Sequence, residues 1–287
     1  MTWTRVLTAA VLMTVAIAIV LFAPTWGVAI AVVVLTLLAL WEYFALGEAI
    51  GHRAYRFWTT FSAIVLVCAQ TLPAATRDYF NKPLGWWPNF VLTVRLHLSV
   101  PLAFFVFVLG IVILTLWTRR PLVESVPAAG ISSSAFLLVA FPLSYALPLH
   151  GYRGPRVLLF ALVITWVADS AAYFAGRAFG KHPLAPHISP KKTWEGSIAG
   201  LVGSLAVGYA FHFWLTIPFG HLLAMAFVGN VAGQMGDLLE SACKRSAGVK
   251  DSGGLLPGHG GILDRIDALI LCIPVIWYYL VLVNPGM

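Results

Sequence analysis

The sequence predicts an all-α, polytopic integral membrane protein, with about nine transmembrane helices and cytoplasmic polar loops that gather into a site. Three observations lead there. Of 287 residues, 60% are hydrophobic and only 10% charged, against about 25% charged in ordinary soluble proteins. Several apolar runs reach the roughly 20 residues needed to cross a hydrocarbon core. Lysines and arginines also collect on alternate loops, as membrane orientation requires. The net charge of +7 then reads as loop charge that sets topology, not as a nucleic-acid surface.

Taken in order, apolar segments fall at 6–23, 27–46, 58–75, 98–117, 126–148, 156–175, 196–217, 219–239 and 266–284. The first follows Arg5, is longer than the apolar part of a secretory signal and lacks a small-residue cleavage site, so a retained helix is expected. Pro101 blurs the start of the fourth segment, and the link Ile217-Pro218-Phe219-Gly220 blurs the boundary of the seventh and eighth. No soluble domain, low-complexity tail or internal repeat interrupts the pattern. One membrane-embedded domain over 1–287 is expected, with residues 1–150 as structural, lipid-facing helices available for oligomer contacts and 151–287 carrying the polar loops. With the N-terminus in the cytoplasm, thirteen lysines and arginines lie inside and five outside, a positive-inside bias. Both long polar loops, 176–195 and 240–265, then face the cytoplasm. Cys68, Cys243 and Cys272 form no CxxC or zinc spacing and read as packed or free thiols.

Seven of the eleven acidic residues lie between 169 and 267. Asp169 ends the apolar run ALVITWVAD, and Asp237 ends MAFVGNVAGQMGD. A carboxylate at the end of a membrane helix is costly unless paired or coordinated, and so points to function; a helix-end residue reaching headgroup water is the other reading. Asp237, Ser241 and Lys244 are spaced by four and three, and Asp169, Tyr173 and Arg177 by four and four, so each set shares one helical face. The loop HISPKKTWEG puts Lys191 and Lys192 just before a helix, where an anion is favoured; lipid headgroups are equally suited to a dibasic pair there.

The stretch SACKRSAGVKDSGGLLPGHGGILDRID, residues 241–267, is the richest. Its glycines permit the close backbone approach of a phosphate-wrapping loop. Lys244, Arg245, Lys250 and Arg265 can neutralise a polyphosphate, while Asp251, Asp264 and Asp267 are hard ligands suited to Mg²⁺. Competing motifs fail. GRAFGKH is one residue short of a Walker A loop and ends in His182 instead of Ser or Thr, and GHGG has no GxSxG partner in the chain.

From Ser241 to Asp267 the pattern S-x-x-K-R-x4-K-D-x-G-x2-L-P-x-H-G-G-I-x-D-R-x-D resembles the signature of phosphatidate cytidylyltransferases, or CDP-diacylglycerol synthases. ADSAAYFAGRAFGK (168–181), SPKKTWEG (189–196) and GDLLES (236–241) are similar to that family as well. Cys243 departs from it, standing where a larger aliphatic or aromatic residue is usual. The resemblance implies a magnesium-dependent nucleotidyltransferase of phospholipid biosynthesis that joins CTP to phosphatidate, giving CDP-diacylglycerol and pyrophosphate. It implies an enzyme of the bacterial cytoplasmic (inner) membrane with its N-terminus and active site in the cytoplasm. CTP, phosphatidate of the cytoplasmic leaflet and membrane lipid are the implied partners, nucleic acid is not, and the family reading adds a homodimer. By resemblance, Asp237 and Asp251 bind the metal, with Asp169 as a third candidate, and a second cation is left open. Asp237, Asp251 and Lys250 are the expected catalytic set. Lys244, Arg245, Arg265, Lys191, Lys192 and Ser241 would bind substrate. His259 would either donate to phosphate or base, or shape the loop. Asp264 and Asp267 would otherwise pair with Arg265 or cap the last helix. Two rivals stand beside this reading: a transporter, whose charges belong near mid-membrane, and a transferase using the same nucleotide loop on a polyprenyl or ether lipid.

Overall fold

The computed structural model describes residues 2–76, 99–117, 121–255 and 260–283, with side chains from residue 10 and none described over 73–76. His259, and Lys82 and Arg95 of the segment expected on the outer side, lie outside the described residues. The chain is overwhelmingly helical. In order come α1 (Thr2–Phe22), α2 (Thr25–Ala49), α3 (Arg56–Thr76), α4 (Val100–Trp117), α5 (Leu122–Arg153), α6 (Pro155–Phe179), α7 (Trp194–Phe211), α8 (Phe219–Ser246) and α9 (Leu263–Val283). Six of them, α2, α4, α5, α6, α8 and α9, are long and apolar enough to cross a membrane. The coarse prediction of an all-α membrane protein holds at that level.

Local chemistry sets the breaks. Gly154 at φ 92° ends α5, a conformation that side chains with a Cβ rarely adopt, and Pro155 opens α6, where its missing N–H leaves no helical bond unmade. Within α5 the ladder widens to π geometry over Phe136–Ala140, just ahead of Pro142. Thr193 caps α7, its hydroxyl accepting from the Gly196 amide at 3.2 Å. The polar stretch after α6 differs from expectation: part of it is a hairpin, β1 (Pro183–Ala185) paired antiparallel with β2 (Ser189–Thr193). Two short strands with prolines and no apolar alternation carry no period-2 signal, which is why the sequence reads there as loop.

Without water to exclude, helices in lipid associate through close packing and interhelical hydrogen bonds. Both are present around α6, α7, α8 and α9, the most extensively packed group. Glycines bring the backbones together: a Cβ on Gly196 would stand 2.8 Å from the Ala172 carbonyl oxygen, and one on Gly236 would stand 2.4 Å from that of Asp267. A polar ladder ties α6, α7 and α8. Ser204 donates to the Ile164 carbonyl (3.2 Å), Asn230 Nδ2 to Ser204 (3.0 Å) and Gln234 Nε2 to Asn230 Oδ1 (2.7 Å), and Ser197 donates to Gln234 Oε1. Such bonds contribute about 0.6 kcal/mol each in a membrane, so their main effect is to set register.

Candidate active site

The close α6–α7 and α7–α8 contacts leave a cavity of about 620 Å³ at one end of these helices, roofed on one side by the hairpin. α6 supplies Asp169, Tyr173 and Arg177, the helix-face triplet expected from the spacing; the Arg177 guanidinium donates to the Tyr173 hydroxyl at 3.2 Å. β2 supplies Lys191 and Lys192, α7 supplies Ser197, and α8 supplies Gln234 and Asp237. Lys192 and Asp237 pair at 2.6 Å, both about a quarter to a third exposed (26% and 30%). Asp169, Asp237 and Asp267 act on one another electrostatically, with Lys192 and Arg265 as the nearby cations. The α8–α9 approach at Gly236 brings Asp267 beside Asp237. Carboxylates alternating with cations around one cavity can hold a hard cation and the oxygens of a phosphate together.

The second expected triplet divides. Asp237 faces the cavity, whereas Ser241 and Lys244 are buried. Lys244 Nζ lies 2.5 Å from Glu240 Oε2 and 2.5 Å from Asp264 Oδ1. Its charge is already met by two carboxylates, so the helical-face partnership with Asp237 and the phosphate contact expected of it give way to an internal ion-pair knot. Asp264 pairs with Lys244, and it accepts from the Gly261 amide at 2.8 Å just ahead of the last helix. Arg245 is exposed at the end of α8, where its Nε donates to the Ile188 carbonyl of the hairpin (3.3 Å) and its Nη1 to the Val249 carbonyl (3.2 Å). It therefore ties the hairpin to the signature loop. Lys250 and Asp251 are exposed on that loop, outside the cavity lining, with Asp251 next to Gly260. Arg265 is exposed at the start of α9.

Sequence reasoning missed Glu42, in α2. It is 2% exposed and accepts from Ser252 Oγ (2.9 Å) and the amides of Ile262 (2.9 Å) and Leu263 (2.8 Å). A signal existed: Glu42 is an acid inside an apolar run, the feature that singled out Asp169 and Asp237. Gln234 and Ser197 were also missed, and nothing in their spacing marks them.

Among the described residues no three His, Cys, Asp or Glu side chains stand close enough to hold a metal by themselves. Mg²⁺ does not require that, since it commonly binds one or two carboxylates and completes its shell with water and substrate phosphate. Asp169 and Asp237, facing a cavity also lined by Arg177, Lys191 and Lys192, fit such an ion.

Comparison with known proteins shows the family. A family model described as the cytidylyltransferase family matches residues 3–283. A phosphatidate cytidylyltransferase of Haemophilus influenzae is 33% identical over 96% of this chain and 97% of its own length. One of Brucella suis is 33% identical over 80% of this chain and 81% of its own. One of Bacillus subtilis is 46% identical over a shorter stretch, 45% of this chain and 49% of its own. With the match running through every helix that builds the cavity, the chain belongs to the cytidylyltransferase family.

Proposed function

We propose that this protein is a phosphatidate cytidylyltransferase. A phosphate oxygen of phosphatidate attacks the α-phosphorus of CTP, the bond from that phosphorus to the bridging oxygen of the β-phosphate breaks, and pyrophosphate leaves with the electron pair. The nucleophile is already ionised at neutral pH, so no Ser–His or Cys–His pair is needed. What remains for the protein is positioning and charge neutralisation. The single observation that carries the reading is the cavity itself, where Asp169 and Asp237 stand among Arg177, Lys191 and Lys192.

Mg²⁺ would supply charge neutralisation at the reacting phosphates, held by Asp237 and Asp169 with Asp251 from the loop. Lys250, Arg245 and Arg265 would receive the phosphates of CTP on the loop side, and Lys191 and Lys192 would do so on the hairpin side. His259 belongs to the same loop. Lys244, paired with Asp264 at the start of α9, would hold the far end of the loop, and Ser241 would bind substrate from α8. The nine described helices would span the bilayer as one domain, with 1–150 as the framework and 151–287 carrying the catalytic loops. The N-terminus and both polar loops would face the cytoplasm of the bacterial inner membrane, beside the leaflet that supplies phosphatidate. The functional unit would be a homodimer.

Purified protein given labelled CTP, Mg²⁺ and phosphatidate should form a labelled lipid that co-migrates with CDP-diacylglycerol. A label that appears only with a polyprenyl phosphate acceptor would reassign the lipid. No labelled lipid with either acceptor would reject the transferase.

A further inference from the structure

We infer that Glu42 is a positioning residue for the nucleotide, acting from the N-terminal framework by clamping the two ends of the glycine-rich loop together. The inference rests on the proposed reading of that loop as the seat of CTP.

A buried carboxylate is expensive unless hydrogen bonds meet it. Glu42 takes them all from one place, more than two hundred residues along the chain. Ser252 is the near end of the loop, and Ile262 and Leu263 are its far end, where α9 begins. The far-end donors are first-turn amides that have no helical partner, and the helix dipole favours a carboxylate there. Asp264 closes the same clamp from the other side. It accepts from the Ser252 amide (3.1 Å), the Ser252 hydroxyl (3.0 Å) and the Gly261 amide (2.8 Å) while paired with Lys244. The Ser252 hydroxyl thus stands between two carboxylates, with a single hydrogen to give.

The fit allows no slack. A Cβ on Gly253 would lie 2.5 Å from Glu42 Oε1, and one on Gly261 would lie 2.3 Å from Oε2. The clamped residues adjoin Lys250, Asp251 and Arg265 in the chain, the charges assigned to CTP. Misplacement of such groups by about 1 Å can cost about a hundredfold in rate. A carboxylate that only stabilised the fold would not need to hold both ends of this one segment.

The test is steady-state kinetics of full-length, purified Glu42→Gln with CTP and phosphatidate varied in turn. The amide keeps the size but turns an N–H toward an N–H. We expect kcat/KM for CTP to fall about tenfold to a hundredfold, with KM for phosphatidate within about twofold of wild type. If Glu42→Gln does not fold, Ser252→Ala serves: it removes only the shared hydroxyl, and the same split should appear at smaller size. Unchanged CTP kinetics in the folded variant, or equal losses for both substrates, would overturn the clamp. An inactive wild type would overturn the proposed function and this inference with it. An active wild type beside an indifferent variant overturns the inference alone.

Discussion

Lys244 and Lys250 lie six residues apart in the same basic stretch, yet they stand in opposite situations. Lys244 is buried between Glu240 and Asp264, and Lys250 is exposed on the loop. Removing a buried cation leaves its carboxylates uncompensated, which typically costs about 3–5 kcal/mol. Lys244→Met should therefore lower the melting temperature sharply, whereas Lys250→Ala should leave melting unchanged and lose most CTP turnover. Melting curves and turnover on the two purified variants read both effects; equal melting would remove the knot from the account. Asp237 supplies the second comparison. Its partner Lys192 Nζ is shielded from water, but Asp237 also stands beside Asp169 and Asp267, whose repulsion the substitution relieves, so Asp237→Asn should melt near wild type. Turnover should fall about a hundredfold or more, because the lost charge acts at the reacting phosphates. Asp251→Asn, with no ion pair to lose among the described residues, should show the turnover loss alone. Retained turnover in either variant would remove that residue from the metal set.

At the level of elements, the cavity exists because glycines let α6, α7, α8 and α9 approach so closely. Gly236 has the Asp267 carbonyl oxygen where a Cβ would go, at 2.4 Å, whereas Gly220, near the start of the same helix, has nothing within 4 Å. Gly236→Ala must push α8 from α9 and should cost about 1–3 kcal/mol, and it should reduce turnover by moving Asp237 relative to Asp267. Gly220→Ala should be neutral or slightly stabilising, since alanine is the better helix former. Thermal melting of the pair in one detergent checks this, and similar values for both would deny that the contact is tight. The hairpin is the element that no periodicity announced. Its base is closed by His182 Nδ1 on Glu195 at 2.7 Å, and its turn is held from α8 by Arg245 on the Ile188 carbonyl at 3.3 Å.

Across the whole molecule, the N-terminal helices are more than lipid-facing framework, since α2 delivers Glu42 to the signature loop. The proposed orientation rests on charge. With basic residues concentrated on the loops assigned to the inside, cysteines introduced singly at 182–188 or 246–254 should react with a membrane-impermeant reagent only after the membrane is opened. The parent for this experiment should lack the native thiols, since Cys68 is itself exposed. Labelling of intact cells would reverse the topology and remove cytoplasmic CTP as the substrate.

By itself the sequence determined the membrane class, the positions of the helices and the cavity stripe Asp169–Tyr173–Arg177. Each of these is local: apolar run length is matched to bilayer thickness, and i, i+4 spacing places side chains on one face whatever packs against it. The signature stretch was also legible as a place of charge and glycine. Only the tertiary structure decided which charge meets which. Lys192 reaches Asp237 across 45 residues of sequence, and Lys244 turns inward to Asp264 instead of toward Asp237. Glu42 finds its donors about 210 to 221 residues away. Such pairings depend on the distance between helix backbones, which is set by where a glycine allows two chains to touch, and residue spacing carries no record of it.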